Sequence, residues 1–133
     1  LAMYRQRSDA GAVVHLHSPG CMAVSCLGGL DPENALPPMT PYFIMKIGRL
    51  PLLPYFRPGD PALADAVGAA AAGHPALLLA HHGMIIAGKN LFTAVCAAEE
   101  LEETARLFLA VKDRPHNVLT DAQIRELKEV FPK

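Results

Sequence analysis

The sequence predicts an α/β protein built in layers, and three observations carry that prediction. Apolar runs at 12–17, 76–80 and 84–87 are short enough for strands and rich in branched or long aliphatic side chains. Ser18-Pro19 and Asp60-Pro61 each pair an N-cap residue with a proline suited to the first helical position. The longest periodic pattern runs from about 91 to 112. Helical and extended segments therefore alternate along the chain, which fits helices layered on a sheet.

Taken in order, residues 1–7 read as the end of an amphipathic helix, and Ser8-Asp9-Ala10-Gly11 as a turn. Residues 12–17 form a strand. A helix opens at Ser18-Pro19 and runs to about Leu27, where Gly28-Gly29 stops it. Four prolines between 30 and 41 predict a loop. Residues 42–48 fit a short strand or a helix equally well. Pro51, Pro54 and Pro58 keep the next stretch extended. An alanine-rich helix follows over 61–72, with Gly73 as its C-terminal cap. Two strands flank His81-His82-Gly83. Asn90 then caps the long helix, whose apolar positions Leu91, Val95, Ala98, Leu101, Ala105, Phe108 and Leu109 recur at helical spacing. Thr120 and Gln123 make a capping box for a last helix over 121–130.

With 133 residues, about half of them apolar, the chain has enough material for one domain with a real core. A net charge of −1 gives no basic excess for nucleic acid, and no apolar run approaches the length of a membrane helix. The N-terminus shows no basic stretch leading into an apolar one. Three cysteines, Cys21, Cys26 and Cys96, form no pairing framework and read as small buried hydrophobes. Their odd number points to a reducing, cytoplasmic setting.

The chemistry centres on histidine. In Ala12-Val13-Val14-His15-Leu16-His17-Ser18, two imidazoles lie two residues apart on a strand and so share a face. Such a pair can grip a metal ion, or can be two surface or hydrogen-bonded histidines. His81 and His82 lie between two strands, so one of them can join that face, and Gly83 lets the backbone bend. Three neutral imidazoles with an open position would suit a catalytic zinc site. His74 and His116 sit in polar or turn segments and are expected to be exposed. Glu99, Glu100, Glu102 and Glu103 read as a solvated helix face, with Glu102 and Arg106 paired at i, i+4.

Tyr4-Arg5-x-Arg7-x-Asp9-x-x-Ala12-Val13-Val14-His15-x-His17-Ser18-Pro19 resembles the metal-binding segment of the class II aldolase/adducin family. His82-Gly83, its apolar strand, Gly88-Lys89 and Ala97-Ala98-Glu99-x-Leu101-Glu102 resemble that family's second metal segment and following helix. Thr40-Pro41-Tyr42-Phe43, Pro54-Tyr55-x-Arg57-Pro58-Gly59-Asp60 and the acidic run from Ala98 to Ala105 are similar to the branch of 3-oxo-tetronate 4-phosphate decarboxylases.

The resemblance implies the layered α/β/α sandwich of the class II aldolases, lacking its N-terminal part, since the sequence opens at Leu1 in mid-pattern. It implies a Zn2+ ion, or another divalent metal, on His15, His17 and His82. His82 is preferred over His81 because the family pattern there is Asn-His-Gly. It implies that Tyr42 is a catalytic residue reaching a neighbouring subunit's site, and hence a homo-oligomer, a tetramer. The implied reaction is decarboxylation of a 3-oxo-tetronate 4-phosphate, a phosphorylated sugar acid, to dihydroxyacetone phosphate and CO2 through a metal-stabilised enediolate. The alternatives are a sugar-phosphate aldolase or epimerase on the same scaffold, and a non-catalytic adducin-like interaction domain. The family's acid/base carboxylate and phosphate-binding loops are expected upstream of Leu1, so neither role is carried onto an acid of this chain. No nucleic acid and no membrane is expected as a partner.

Overall fold

A computed structural model describes residues 1–132. Its elements in chain order are α1 (Ala2–Gln6), β1 (Ala12–Leu16), α2 (Pro19–Ser25), α3 (Pro41–Lys46), β2 (Leu52–Leu53), α4 (Pro61–Ala71), β3 (Ala76–Leu79), β4 (Gly83–Gly88), α5 (Leu91–Val111) and α6 (Asp121–Val130). The four strands form one sheet in the order β1-β4-β3-β2. β1 and β3 run antiparallel to β4, and β2 runs parallel to β3.

Strand alternation divides the apolar side chains between two cores. Val14, Ala76, Leu78, Met84 and Ile86 face one side, where Val24 of α2, Phe43 and Ile44 of α3, and Ala98, Leu101 and Ala105 of α5 cover them. Val13, Leu77, Leu79, Ile85 and Ala87 face the other, against Met3 of α1 and Val67 and Ala71 of α4. The expected layered α/β/α arrangement is therefore present, with helices on both faces of the sheet. β3 is buried along its whole length because it lies inside the sheet and under both helical layers.

Local chemistry explains most boundaries. Asp60 accepts the Ala62 N–H at the start of α4, with Pro61 in its first turn. Asn90 and Thr93 exchange reciprocal bonds at the start of α5, and Thr120 and Gln123 do so at the start of α6. The undecided stretch 42–48 is resolved as a helix. Thr40 accepts the Phe43 N–H and Pro41 occupies the first position, which is the same N-cap–proline signature that opens α2.

Five expectations are corrected. α2 closes at Cys26 rather than Leu27, and Cys26 is exposed rather than buried; Cys96 is partly buried and only Cys21 lies in the core. Gly73 is not a left-handed cap, because α4 ends on Ala72 with helical angles and Gly73 keeps a negative φ. The buried stripe of α5 is Ala94, Ala97, Ala98, Leu101, Thr104 and Ala105, while Leu91 and Val95 face outward. Small side chains let α5 lie close to the sheet and α2, so alanines set the seam rather than the larger aliphatics. His74 is partly buried beside Pro75; His116 is exposed, as expected.

Candidate metal centre

All four strands bring one end to the same edge of the sheet. The pairs Leu16↔Met84 and Leu79↔Gly83 place the end of β1, the end of β3 and the start of β4 side by side. Histidines cluster at that edge. His15, on β1, shares the face of Val13, and His17 follows on the same face just past the strand. His82 sits in the tight β3–β4 turn, where its N–H donates to the Leu79 carbonyl at 3.1 Å.

One ring nitrogen from each of His15, His17 and His82 lies within 4.8 Å of the other two. The ring centroids are 4.7 to 5.0 Å apart, and the His15 and His17 Nε2 atoms approach to 3.2 Å. His15 and His17 are exposed and His82 is partly buried, so the cluster opens to solvent. His81 is not part of it. Its backbone adopts a left-handed φ of +56°, the only such value at a non-glycine among the described residues, and its exposed ring stands edge-on to Tyr55 with centroids 6.1 Å apart. The turn sends adjacent side chains in different directions, which separates the two histidines that sequence left as alternatives.

Two features suit these imidazoles to a metal ion. His15 Nδ1 lies 2.8 Å from the Met84 carbonyl. A carbonyl can only accept, so Nδ1 carries the proton and Nε2 is left with its lone pair facing the cluster. Burial, and then the neighbouring His15 and His17, push the His82 pKa below its ordinary value. The neutral form that ligates metal is thereby favoured. Nitrogen donors that converge in this way are a set zinc and similar divalent ions accept.

Close backbone packing holds the cluster's frame. A Cβ on Gly83 would stand 2.3 Å from the Leu16 carbonyl oxygen and 3.3 Å from the His17 Cα. Glycine is required there for β4 to start directly against the end of β1. Tyr42, on α3, is 62% exposed and makes no hydrogen bond or ring contact among the described residues, so it takes no part in this chain's own cluster.

The acidic face of α5 is corrected. Glu99 and Glu103 are solvated, but the Glu100 side chain is largely covered and lies 4.0 Å from Lys46. Glu102 is 12% exposed and turns inward, accepting the Gly20 and Cys21 N–H groups at 2.8 and 2.9 Å as well as the Arg106 Nε at 2.9 Å. The i, i+4 pair with Arg106 was legible in sequence. The contact with α2 was not, because it joins residues more than eighty positions apart. His15, His17 and His82 line neither of two surface grooves, of about 820 and 540 Å3; the smaller runs past Leu16, Ser18, Met84 and Glu102.

A family model described as the Class II Aldolase and Adducin N-terminal domain matches residues 1–109. The chain belongs to this family. Among curated members, the 3-oxo-tetronate 4-phosphate decarboxylase of Escherichia coli K12 is 48% identical over 128 residues, covering 96% of this chain and 60% of that protein. The decarboxylase of the same name from Haemophilus influenzae is 43% identical over 128 residues, covering 96% and 61%. The L-fuculose phosphate aldolase of Escherichia coli K12 is 38% identical over 136 residues, covering 98% and 60%. The crystal structure of YgbL from Escherichia coli matches with a TM-score of 0.93 at 47% identity, covering 96% of this chain and 61% of that one. An L-fuculose 1-phosphate aldolase structure matches at 0.80 and 28% identity, covering 99% and 62%. The chain thus spans about 60% of the length of the curated relatives it matches. No helix among the described residues is long and apolar enough to cross a membrane.

Proposed function

We propose that this chain carries the metal centre of a zinc-dependent carboxy-lyase that converts a 3-oxo-tetronate 4-phosphate to dihydroxyacetone phosphate and CO2. The observation that carries the reading is the three-imidazole cluster at the sheet edge, in a chain that shares 48% identity with a decarboxylase of that name and 38% with the aldolase. His15, His17 and His82 would hold the metal. When bound, it supplies a Lewis acid for the negative charge that develops on a ketone β to a departing carboxylate.

The protein's own side chains prepare for that chemistry. The Met84 carbonyl fixes the His15 tautomer, and burial, with His15 and His17 beside it, pushes the His82 pKa down and so favours the neutral ring that ligates a metal. The open face of the cluster leaves room for a phosphorylated sugar acid to approach. Tyr42, outward on α3, is proposed to act in the site of a neighbouring copy within a homotetramer. That role accounts for an exposed aromatic with no hydrogen-bond or ring partner among the described residues.

A sugar-phosphate aldolase is the second reading, favoured by the shared fold with L-fuculose 1-phosphate aldolase. Product analysis on metal-loaded protein separates the two. Release of CO2 from a 3-oxo-tetronate 4-phosphate supports the decarboxylase. Release of an aldehyde from L-fuculose 1-phosphate, without CO2 from the sugar acid, replaces it with the aldolase.

A further inference from the structure

The three imidazoles are not anchored equally. His15 is held by its register against Ile85 and by the Met84 carbonyl. His82 is held by a two-strand turn. His17 lies one residue beyond the end of β1, and its ring has no hydrogen bond among the described residues except the 3.2 Å approach to His15. Both of those nitrogens point into the cluster, so that approach cannot orient His17 once the site is filled. What fixes His17 has to act through the backbone that follows it.

That backbone is the start of α2: Ser18 as N-cap, Pro19 in the first turn, then Gly20 and Cys21. An N-cap serine ordinarily accepts an N–H from the first turn. Here Ser18 makes no such bond; its buried hydroxyl lies beside the Glu102 carboxylate, with no hydrogen bond of good geometry among the described residues. Glu102 of α5 takes its place, with one carboxylate oxygen on the Gly20 N–H and the other on the Cys21 N–H. Gly20 is shaped to this contact, since a Cβ there would stand 2.9 Å from a Glu102 oxygen and 3.0 Å from Arg106 Cγ. A carboxylate at a helix N-terminus also meets the positive end of the helix dipole.

We infer that Glu102 is a positioning residue for the metal centre: by clamping the Gly20 and Cys21 N–H groups of α2 onto α5, it fixes the turn that aims His17 at His15 and His82. This role rests on the proposed metal centre but not on the identity of the substrate. Supporting groups of this kind typically change metal affinity by 10- to 100-fold when removed.

Co2+ is the probe, because its visible absorption reports ligand number and symmetry directly. Apo protein is titrated with Co2+ alone, and affinity is taken from competition with a chelator, for wild type, Glu102→Ala, Glu102→Gln and Val24→Ala. Val24 is fully buried one turn further along α2 from the Gly20 and Cys21 N–H groups, so its truncation measures what a loss of α2 stability does by itself. The expected result is a 10- to 100-fold weaker affinity with an altered spectrum in Glu102→Ala, and a smaller loss in Glu102→Gln, which keeps the shape and one acceptor. Val24→Ala keeps the wild-type spectrum and binds within about threefold of wild type. Should Glu102→Ala fail to fold, Glu102→Gln decides the matter. Wild-type affinity in folded Glu102 variants, or an equal loss in Val24→Ala, overturns the positioning role alone. Absence of Co2+ binding by wild type overturns the metal centre and this role together.

Discussion

Glu102 also makes a prediction about stability that can be worked from the structure. Burial alone would raise its pKa. The Ser18 hydroxyl beside it, the Gly20 and Cys21 N–H groups and Arg106 outweigh that and bring it from an ordinary 4.5 to about 2. A carboxylate whose pKa is lower in the folded state binds protons more weakly there than in the unfolded chain. Its contribution is therefore fully present above 4.5 and is lost as pH falls toward 2. At about 1.4 kcal/mol per pH unit, the ceiling is about 3 kcal/mol. The Arg106 side chain is 57% exposed, so solvent screens that part, and about 2 kcal/mol is the expected net value. Urea unfolding of wild type and Glu102→Gln, extrapolated to water at pH 7, 5, 4 and 3, measures it. Glu102→Gln is expected to be less stable by about 2 kcal/mol at pH 7, with the gap falling to about half by pH 3. A gap below about 0.5 kcal/mol at pH 7, or one that stays constant down to pH 3, would refute the reasoning.

Gly83→Ala puts a methyl group 2.3 Å from the Leu16 carbonyl oxygen, and β1 has to move away from β4 to admit it. A loss of about 2–3 kcal/mol is expected in chemical denaturation, together with weakened metal binding; an unchanged midpoint contradicts the close approach. Burial pushes the Cys21 thiol up to about 12, whereas Cys26 is exposed. A thiol reagent should label Cys26 in the native protein and reach Cys21 only after unfolding, as peptide mapping will show; rapid native labelling of Cys21 contradicts its burial. Tyr42→Phe should change stability by less than about 0.5 kcal/mol, because Tyr42 is 62% exposed and its hydroxyl has no partner among the described residues. In the assembled enzyme the same variant should lower kcat, and full activity would remove Tyr42 from the proposed site.

Much of this was legible because the deciding interactions are local. The pair Asp60-Pro61, the Asn90 cap and the Thr120–Gln123 box each act within four residues, and each marks the start of its helix. The i, i+2 spacing of His15 and His17 is a property of any strand, so their shared face could be read before the fold was known. Other features depend on packing between distant segments. The choice between His81 and His82 turns on a left-handed backbone in a tight turn. The seam of α5 is set by how closely alanines let it approach the sheet, which a count of large apolar residues does not register. Glu102 looked like one of four solvated acids until α2 was laid across it. Even Thr40-Pro41 carried a helix-start signal equal to that of Ser18-Pro19, but the flanking prolines masked it.

The central claim is that His15, His17 and His82 jointly hold one divalent metal ion. Elemental analysis of purified wild type and of His15→Ala, His17→Ala, His82→Ala and His81→Ala tests it most directly. The account predicts close to one zinc per chain in wild type and in His81→Ala, and loss of that metal in the other three. A well-folded wild type that takes up no divalent metal, or a His81→Ala variant that loses it while His82→Ala keeps it, would contradict the account.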